Sequence, residues 1–215
     1  MTLTVTNDNG ISRLIGDNTS ESITLSSGQL TNILGGVLVL SGNDTIIGSA
    51  DSELIFGNEG QDIIRGGDGN ETLYGGKGND QLFGDAGDDF LSGDRDIDTL
   101  TGGQGRDRFA LSTGGGLDII TDFDNANDFI QVPADVSISD ILIQAAGANT
   151  LLVLKSTGEQ LVQLNNVQSS SFTTASLLLP NQPPPQNLPP ATDASSQFLP
   201  PDFSFLDPLV PTISI

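Results

Sequence analysis

Residues 39–110 read VLSGNDTII (39–47), GSADSELIF (48–56), GNEGQDIIR (57–65), GGDGNETLY (66–74), GGKGNDQLF (75–83), GDAGDDFLS (84–92), GDRDIDTLT (93–101) and GGQGRDRFA (102–110). The sixth place of each nonapeptide is acidic: Asp44, Glu53, Asp62, Glu71, Asp80, Asp89, Asp98 and Asp107. The eighth is large and apolar: Ile46, Ile55, Ile64, Leu73, Leu82, Leu91, Leu100 and Phe109. A fixed period that pairs one carboxylate with one apolar group is the mark of a stacked repeat, in which each unit buries its apolar face only against its neighbours.

The local chemistry follows from the residue types. Glycine at the first, second and fourth places permits positive φ and close backbone approach, so the first six residues are expected to turn and the last three to form a short strand. The eighth side chain then points inward, stacking from rung to rung. If two nonapeptides complete one coil, same-edge neighbours lie 18 residues apart in sequence and about 4.8 Å apart along the stack. One edge then carries Asp44, Asp62, Asp80 and Asp98, and the other carries Glu53, Glu71, Asp89 and Asp107. Glu53 and Glu71 are one methylene longer than the loop is dimensioned for, so their sites are expected to be the weakest. Asp51 and Asp96 replace the fourth-position glycine, and aspartate tolerates the left-handed conformation that this turn needs.

Charge sharpens the reading. The chain has 28 acids against 7 bases, a balance that repels nucleic acid and anionic membrane surfaces and attracts cations. Between residues 39 and 110 the acids number 15 against five bases, and such an array resists compaction without counter-ions. Cysteine and histidine are absent, which removes thiolate sites, disulfides, serine–histidine triads and most zinc chemistry. Oxygen is left as the donor, from carboxylates and backbone carbonyls, and that set suits calcium best. A glycosidase needs one carboxylate pair across a cleft; an evenly repeated array offers no unique pair, so the chain is read as no enzyme. The 38 residues ahead of the repeats are too few for a catalytic domain.

Outside the repeats, residues 1–38 fit short strands that cap the open end, with Ile23 and Leu25 alternating with polar residues and an apolar run from Val37 to Leu40. The period slips by two residues after Ala110 and resumes once over 113–121, placing Asp118 at the sixth position and Ile120 at the eighth. Asp118 therefore joins the candidate ligands, and the repeat region is bounded at 39–121. Asp122 and Asp128 read as polar residues beside cap strands, and Asp85, Asp88 and Asp94 as surface charge. Residues 122–179 contain ILIQA, NTLLVLK and QLVQLNN, a small antiparallel cap. Ten of the 11 prolines lie from Pro180 onward, marking 180–215 as an extended or disordered tail. Phe56, Tyr74 and Phe83 occupy ninth positions and are read as strand-surface packing, with a binding strip as the alternative. No run approaches the roughly 18 apolar residues of a membrane span. The start, MTLTVTNDNGIS, lacks the basic and apolar regions of a cleavable signal. The protein is thus expected either to stay in the cytoplasm or to leave by a route needing no N-terminal signal.

These nonapeptides resemble the repeats-in-toxin (RTX, haemolysin-type) calcium-binding family. The resemblance is strong over 39–110 and extends to about 175 through GLDIITDF and the strands after it, and it is closest in kind to short cyanobacterial members. It implies an all-β parallel β-roll, a right-handed β-solenoid, binding Ca2+ between stacked loops through the sixth-position acids. It also implies secretion by a type I ABC transporter with an uncleaved C-terminal signal, hence an extracellular or cell-surface location. Two functions compete: a secreted module that folds on meeting calcium, and a structural or adhesive surface component that uses the roll as a calcium-stabilised spacer.

Overall fold

A computed structural model describes residues 4–8, 11–30, 36–180 and 182 of the chain. Apart from Pro180 and Gln182, the proline-rich tail expected over 180–215 lies outside the described residues.

The fold is all-β, a parallel β-solenoid. Strands β1 (Thr4–Asp8), β2 (Ile11–Ile15), β3 (Ser22–Thr24) and β4 (Val37–Leu38) lead into the repeats, whose first copy supplies β5 (Thr45–Ile47). The repeats supply β6 (Leu54–Glu59), β7 (Ile63–Asp68), β8 (Thr72–Lys77), β9 (Gln81–Ala86), β10 (Phe90–Arg95), β11 (Thr99–Gln104) and β12 (Arg108–Ala110). Beyond them come β13 (Asp118–Ile120), β14 (Phe129–Gln131), β15 (Ile141–Ala146), β16 (Asn149–Leu154), β17 (Gln160–Leu164) and β18 (Leu177–Leu178). Among the described residues these form two nine-stranded sheets. One runs β1-β2-β4-β6-β8-β10-β12-β14-β18, and the other β15-β16-β17-β13-β11-β9-β7-β5-β3. Successive strands of the repeats alternate between the sheets, so two nonapeptides make one coil. The register follows: Thr45 pairs with Ile63, Ile63 with Gln81 and Gln81 with Thr99, each in parallel.

The strands of the repeats are longer than the three residues expected. β6 to β11 each span six, from the seventh position of one copy through the third of the next. The reason is the parallel ladder itself. The second and third positions stay in the ladder because they pair with the same positions one coil away, as Asn58 does with Gly76 and Glu59 with Lys77, although the second position turns through positive φ, 67° at Asn58 and 111° at Gly76. The chain bends at the second position and turns again at the fourth, where Gly60, Gly69 and Gly78 also have positive φ.

The core is a single file of eighth-position side chains. Ile46, Ile55, Ile64, Leu73, Leu82, Leu91, Leu100 and Phe109 are wholly inaccessible, and each buried aliphatic chain contributes about 1.5–3 kcal/mol of hydrophobic stabilisation. At the C-terminal end the file turns aromatic. Phe109, Phe123 and Phe172 meet at centroid distances of 6.1 and 5.6 Å. There β15, β16 and β17 form the antiparallel layer expected from sequence, and β17 continues the stack by pairing in parallel with β13. At the other end β1 and β2 form an antiparallel pair, and β2 joins β4 in parallel.

The ninth-position aromatics divide between the sheets. Phe56 stacks on Tyr74 at 5.1 Å with planes 7° apart, on the sheet that holds β6 and β8. Phe83 lies on the opposite sheet, under the Arg65 guanidinium at 4.8 Å. The three do not form one strip.

Candidate metal centre

The sixth-position acids stand where the chain leaves the turn and enters the strand, and the coil brings them into two columns. On one edge the backbone N–H of Asp44 donates to Asp62 Oδ1, that of Asp62 to Asp80 Oδ1 and that of Asp80 to Asp98 Oδ1, each at 2.8 Å. Asp98 continues the column to Asp118 Oδ1 at 3.1 Å, so the displaced turn at 113–121 rejoins it. On the other edge Glu71 donates to Asp89 at 2.8 Å and Asp89 to Asp107 at 3.0 Å. The structure thus places the sequence-derived acids on the two expected edges.

Six of these aspartates spend one oxygen on a ladder hydrogen bond and leave the other. Among the described residues, Oδ2 of Asp44, Asp62, Asp80, Asp89, Asp98 and Asp107 is buried with no hydrogen-bond partner. A buried carboxylate oxygen without a donor is costly, and its repetition at one register position marks a common cause. The orphaned oxygens of Asp62, Asp80, Asp89, Asp98 and Asp107 gather around the bare face of the first-position glycine of the same copy. A Cβ on Gly57 would lie 2.5 Å from Asp62 Oδ2 and 2.5 Å from the carbonyl oxygen of Gly75, one coil away. Gly75 stands in the same way against Asp80 Oδ2 and the Gly93 carbonyl, and Gly84 against Asp89 Oδ2 and the Gly102 carbonyl. Glycine is needed because any side chain would fill a space lined by oxygens.

The glutamates depart from the pattern. Both oxygens of Glu71 are buried without a partner, so the ladder from the Glu53 backbone is not made. Glu53 turns back on its own loop, where Ser49 N donates to Oε2 at 3.2 Å and the Ser49 hydroxyl to Oε1. The extra methylene carries each carboxylate past the position from which an aspartate meets the neighbouring coil.

The electrostatics are those of anions held without counter-charge. Burial pushes the Asp62 carboxyl up to about 6 and Asp80 up to about 7, the ladder N–H only partly opposing it. Burial and then the nearby Asp128 carboxylate raise Asp107 to about 8. Burial also raises Asp44, Glu53 and Asp98 above the usual carboxylate range. Glu71 lies highest, through burial and the adjacent Asp89 carboxylate. A divalent cation bound beside them would favour the charged form of these groups.

The donor set fits calcium. Only oxygen is offered, part carboxylate and part main chain, at coil spacing. Nowhere among the described residues do three acidic, histidine or cysteine side chains converge on one point, so a cation held here must draw on backbone carbonyls. Asp62, Asp80, Asp89, Asp98 and Asp107 would supply the carboxylate oxygen, and for the first three the carbonyls of Gly75, Gly93 and Gly102 one coil on would supply main-chain oxygen.

Sequence reasoning passed over three features. Asp128 accepts from Asp107 N at 3.0 Å through Oδ1 and from Asp124 N at 2.8 Å through Oδ2. It therefore completes its column with both oxygens satisfied, a cap and no orphan. Glu21 stands at the opposite end, its N–H donating to Asp44 Oδ1 at 2.6 Å. A second ladder runs through the fifth positions: Asn43, Ser52, Asn70, Asn79 and Asp88 each accept from the N–H one coil on. Asp88 is thus part of the stacking and not surface charge alone. Asp85 pairs with Arg65 on the surface, and Asp122 accepts from the N–H groups of Gly102 and Gly103 at 3.0 and 2.9 Å.

The family model for the RTX calcium-binding nonapeptide repeat matches residues 39–64, 65–100 and 83–120. Residues 39–120 are RTX-type calcium-binding repeats by that match. No curated protein matches the chain. Among solved structures the chain is similar to the AlgE6R3 subunit of the Azotobacter vinelandii mannuronan C5-epimerase. The identity is 22%, the TM-score 0.40, and the alignment covers 83% of this chain and 86% of that one. It is also similar to the extracellular lipase LipA of Serratia marcescens, at 18% identity and a TM-score of 0.35 over 73% of this chain and 42% of the lipase. A third likeness is the AlgE6R2 subunit of the same epimerase, at 18% identity and a TM-score of 0.32 over 77% and 91% of the two chains. Among the described residues no helix is long and apolar enough to cross a membrane.

Proposed function

We propose that the protein is a calcium-binding β-roll module, exported by a type I route, that completes its folding when it meets calcium outside the cell, and that it has no catalytic activity of its own. The observation that carries this reading is the row of buried Oδ2 atoms without partners, of which those of Asp62, Asp80 and Asp89 each face a backbone carbonyl across a glycine. The ligands are Asp44, Glu53, Asp62, Glu71, Asp80, Asp89, Asp98, Asp107 and Asp118. Binding energy is then folding energy, because the ligands share no frame in the open chain. Extracellular calcium modules work at about 10⁻⁴–10⁻³ M, well above cytosolic calcium, which keeps the chain loose enough for export.

The test is circular dichroism of the purified protein in chelator, followed by addition of calcium or magnesium. A gain of β-signal with calcium and none with magnesium supports the reading. Equal order in all three conditions overturns it.

The unbroken nine-strand stacks favour a second reading, in which the roll is a calcium-stiffened spacer at the cell surface. Release of the protein from the envelope by a chelator wash supports that role, whereas recovery in the medium without one supports the free module.

A further inference from the structure

The segment GDNTSESIT, Gly16–Thr24, lies outside the matched repeats, yet it repeats their geometry place by place. At the first place, a Cβ on Gly16 would run into the Glu21 carboxylate, as one on Gly57 would meet Asp62. At the fourth, the Thr19 carbonyl faces Gly42, just as the Gly42 carbonyl faces Gly60. At the fifth, Ser20 Oγ accepts from Asn43 N at 3.0 Å, as Asn43 Oδ1 does from Gln61 N. At the sixth, Glu21 N donates to Asp44 Oδ1. At the eighth, Ile23 pairs with Ile46 and is 1% exposed. Glu21 itself is 7% exposed, and its Oε2 is buried without a partner, beside the orphaned Oδ2 of Asp44 one coil on.

We propose that Gly16–Thr24 is a cryptic first coil of the array and that Glu21 is the carboxylate ligand of a further calcium site, which locks the N-terminal segment onto the roll. The proposal rests on the β-roll reading and extends it beyond the recognisable repeats. Two features make this site weaker than the aspartate sites. Glu21 carries the additional methylene, and its Oε1 is already engaged by Asp17 N at 2.5 Å. The coil also stands at the end of the stack, since among the described residues β3 is the last strand of its sheet and pairs only with β5. The N-terminal coil therefore docks last, at a calcium level above the one that orders the roll.

Arg13 lies in β2, and no other lysine or arginine precedes Arg65, so trypsin reads the two regions separately. In a calcium titration of the full chain, cleavage after Arg13 is expected to be suppressed at higher calcium than cleavage after Arg65 and Arg95. Glu21→Gln is expected to raise the midpoint at Arg13 by roughly tenfold or more, since even an outer-shell partner is worth 10–100-fold in metal affinity. It should leave the Arg65 and Arg95 midpoints in place and remove one calcium from the stoichiometry measured by equilibrium dialysis. Glu21→Asp, which keeps the charge, should retain that ion. A calcium-gated roll in which Glu21→Gln changes neither the Arg13 midpoint nor the stoichiometry overturns the site alone. A wild-type roll whose cleavage at Arg65 and Arg95 ignores calcium overturns the β-roll reading, and this site with it.

Discussion

The backbone N–H of Glu71 donates to Asp89 Oδ1 at 2.8 Å, one coil ahead, yet both oxygens of its own carboxylate are buried without a partner. The column is sound on one side of Glu71 and interrupted on the other. Shortening the side chain by Glu71→Asp should let the Glu53 N–H find an acceptor. A restored hydrogen bond contributes about 1 kcal/mol, which corresponds to a Tm gain of about 2–4 °C for a chain of this size. The expected ranking of calcium loss follows from the same geometry: Asp62→Ala costs more affinity than Glu71→Ala in calorimetric titration. Equal losses at the two positions, or a lower Tm for Glu71→Asp, would show that the glutamate is fitted to its site.

A pH dependence follows from the raised carboxyls. In the unfolded chain an aspartate titrates near 3.9, whereas burial holds Asp62 at about 6, Asp80 at about 7 and Asp107 at about 8 in the roll. The folded state therefore binds protons more tightly than the unfolded one. Without metal, the stability from these groups is fully present below pH 4 and is lost as pH rises through about 6 to 8. In chelator the β-signal and Tm should be higher at pH 4.5 than at pH 8.5. Calcium reverses the order, because the ion must displace those protons and its affinity climbs over the same interval. Circular dichroism melts at the two pH values, with and without calcium, check both directions. A metal-free protein better ordered at pH 8.5 would contradict the burial of the two columns.

The spacing of 18 residues was legible because eight copies keep the period without insertion, and a parallel ladder with two copies per coil has no other register. That rule also separates Phe83 from Phe56 and Tyr74, since Tyr74 and Phe83 are one copy apart and so fall on opposite sheets. The ends were harder. Glu21 and Asp44 are 23 residues apart and Asp107 and Asp128 are 21 apart, so inserted residues in the connecting loops hide the sixth position from any fixed-period reading. The fifth-position ladder was overlooked because Asn, Ser and Asp look interchangeable with ordinary loop residues. What unites them is a short side-chain oxygen that can accept from the next coil. The six-residue strands were missed because glycine is a poor strand former in isolation, and only pairing with the equivalent segment one coil away holds positions two and three in the ladder.

The last prediction concerns which glycines the coil cannot do without. Gly60 has φ 150°, and a Cβ there would overlap the carbonyl oxygen of Gly42 on the preceding coil. That oxygen belongs to backbone fixed by the parallel ladder, so relief requires the coils to part. Gly60→Ala should cost about 3 kcal/mol or more. Gly114 has φ 69°, equally unsuited to a side chain, but a Cβ there would meet nothing within 4 Å. Gly114→Ala should cost only the left-handed strain, about 1–2 kcal/mol. Thermal melts in saturating calcium compare the two directly, with a Tm loss of about 2–4 °C per kcal/mol. Because the Gly60 clash separates the coils that carry Asp44 and Asp62, Gly60→Ala should also weaken calcium binding, whereas Gly114→Ala should leave it intact. A Gly60→Ala protein that melts and binds as the wild type does would mean that the coils are not stacked at this register.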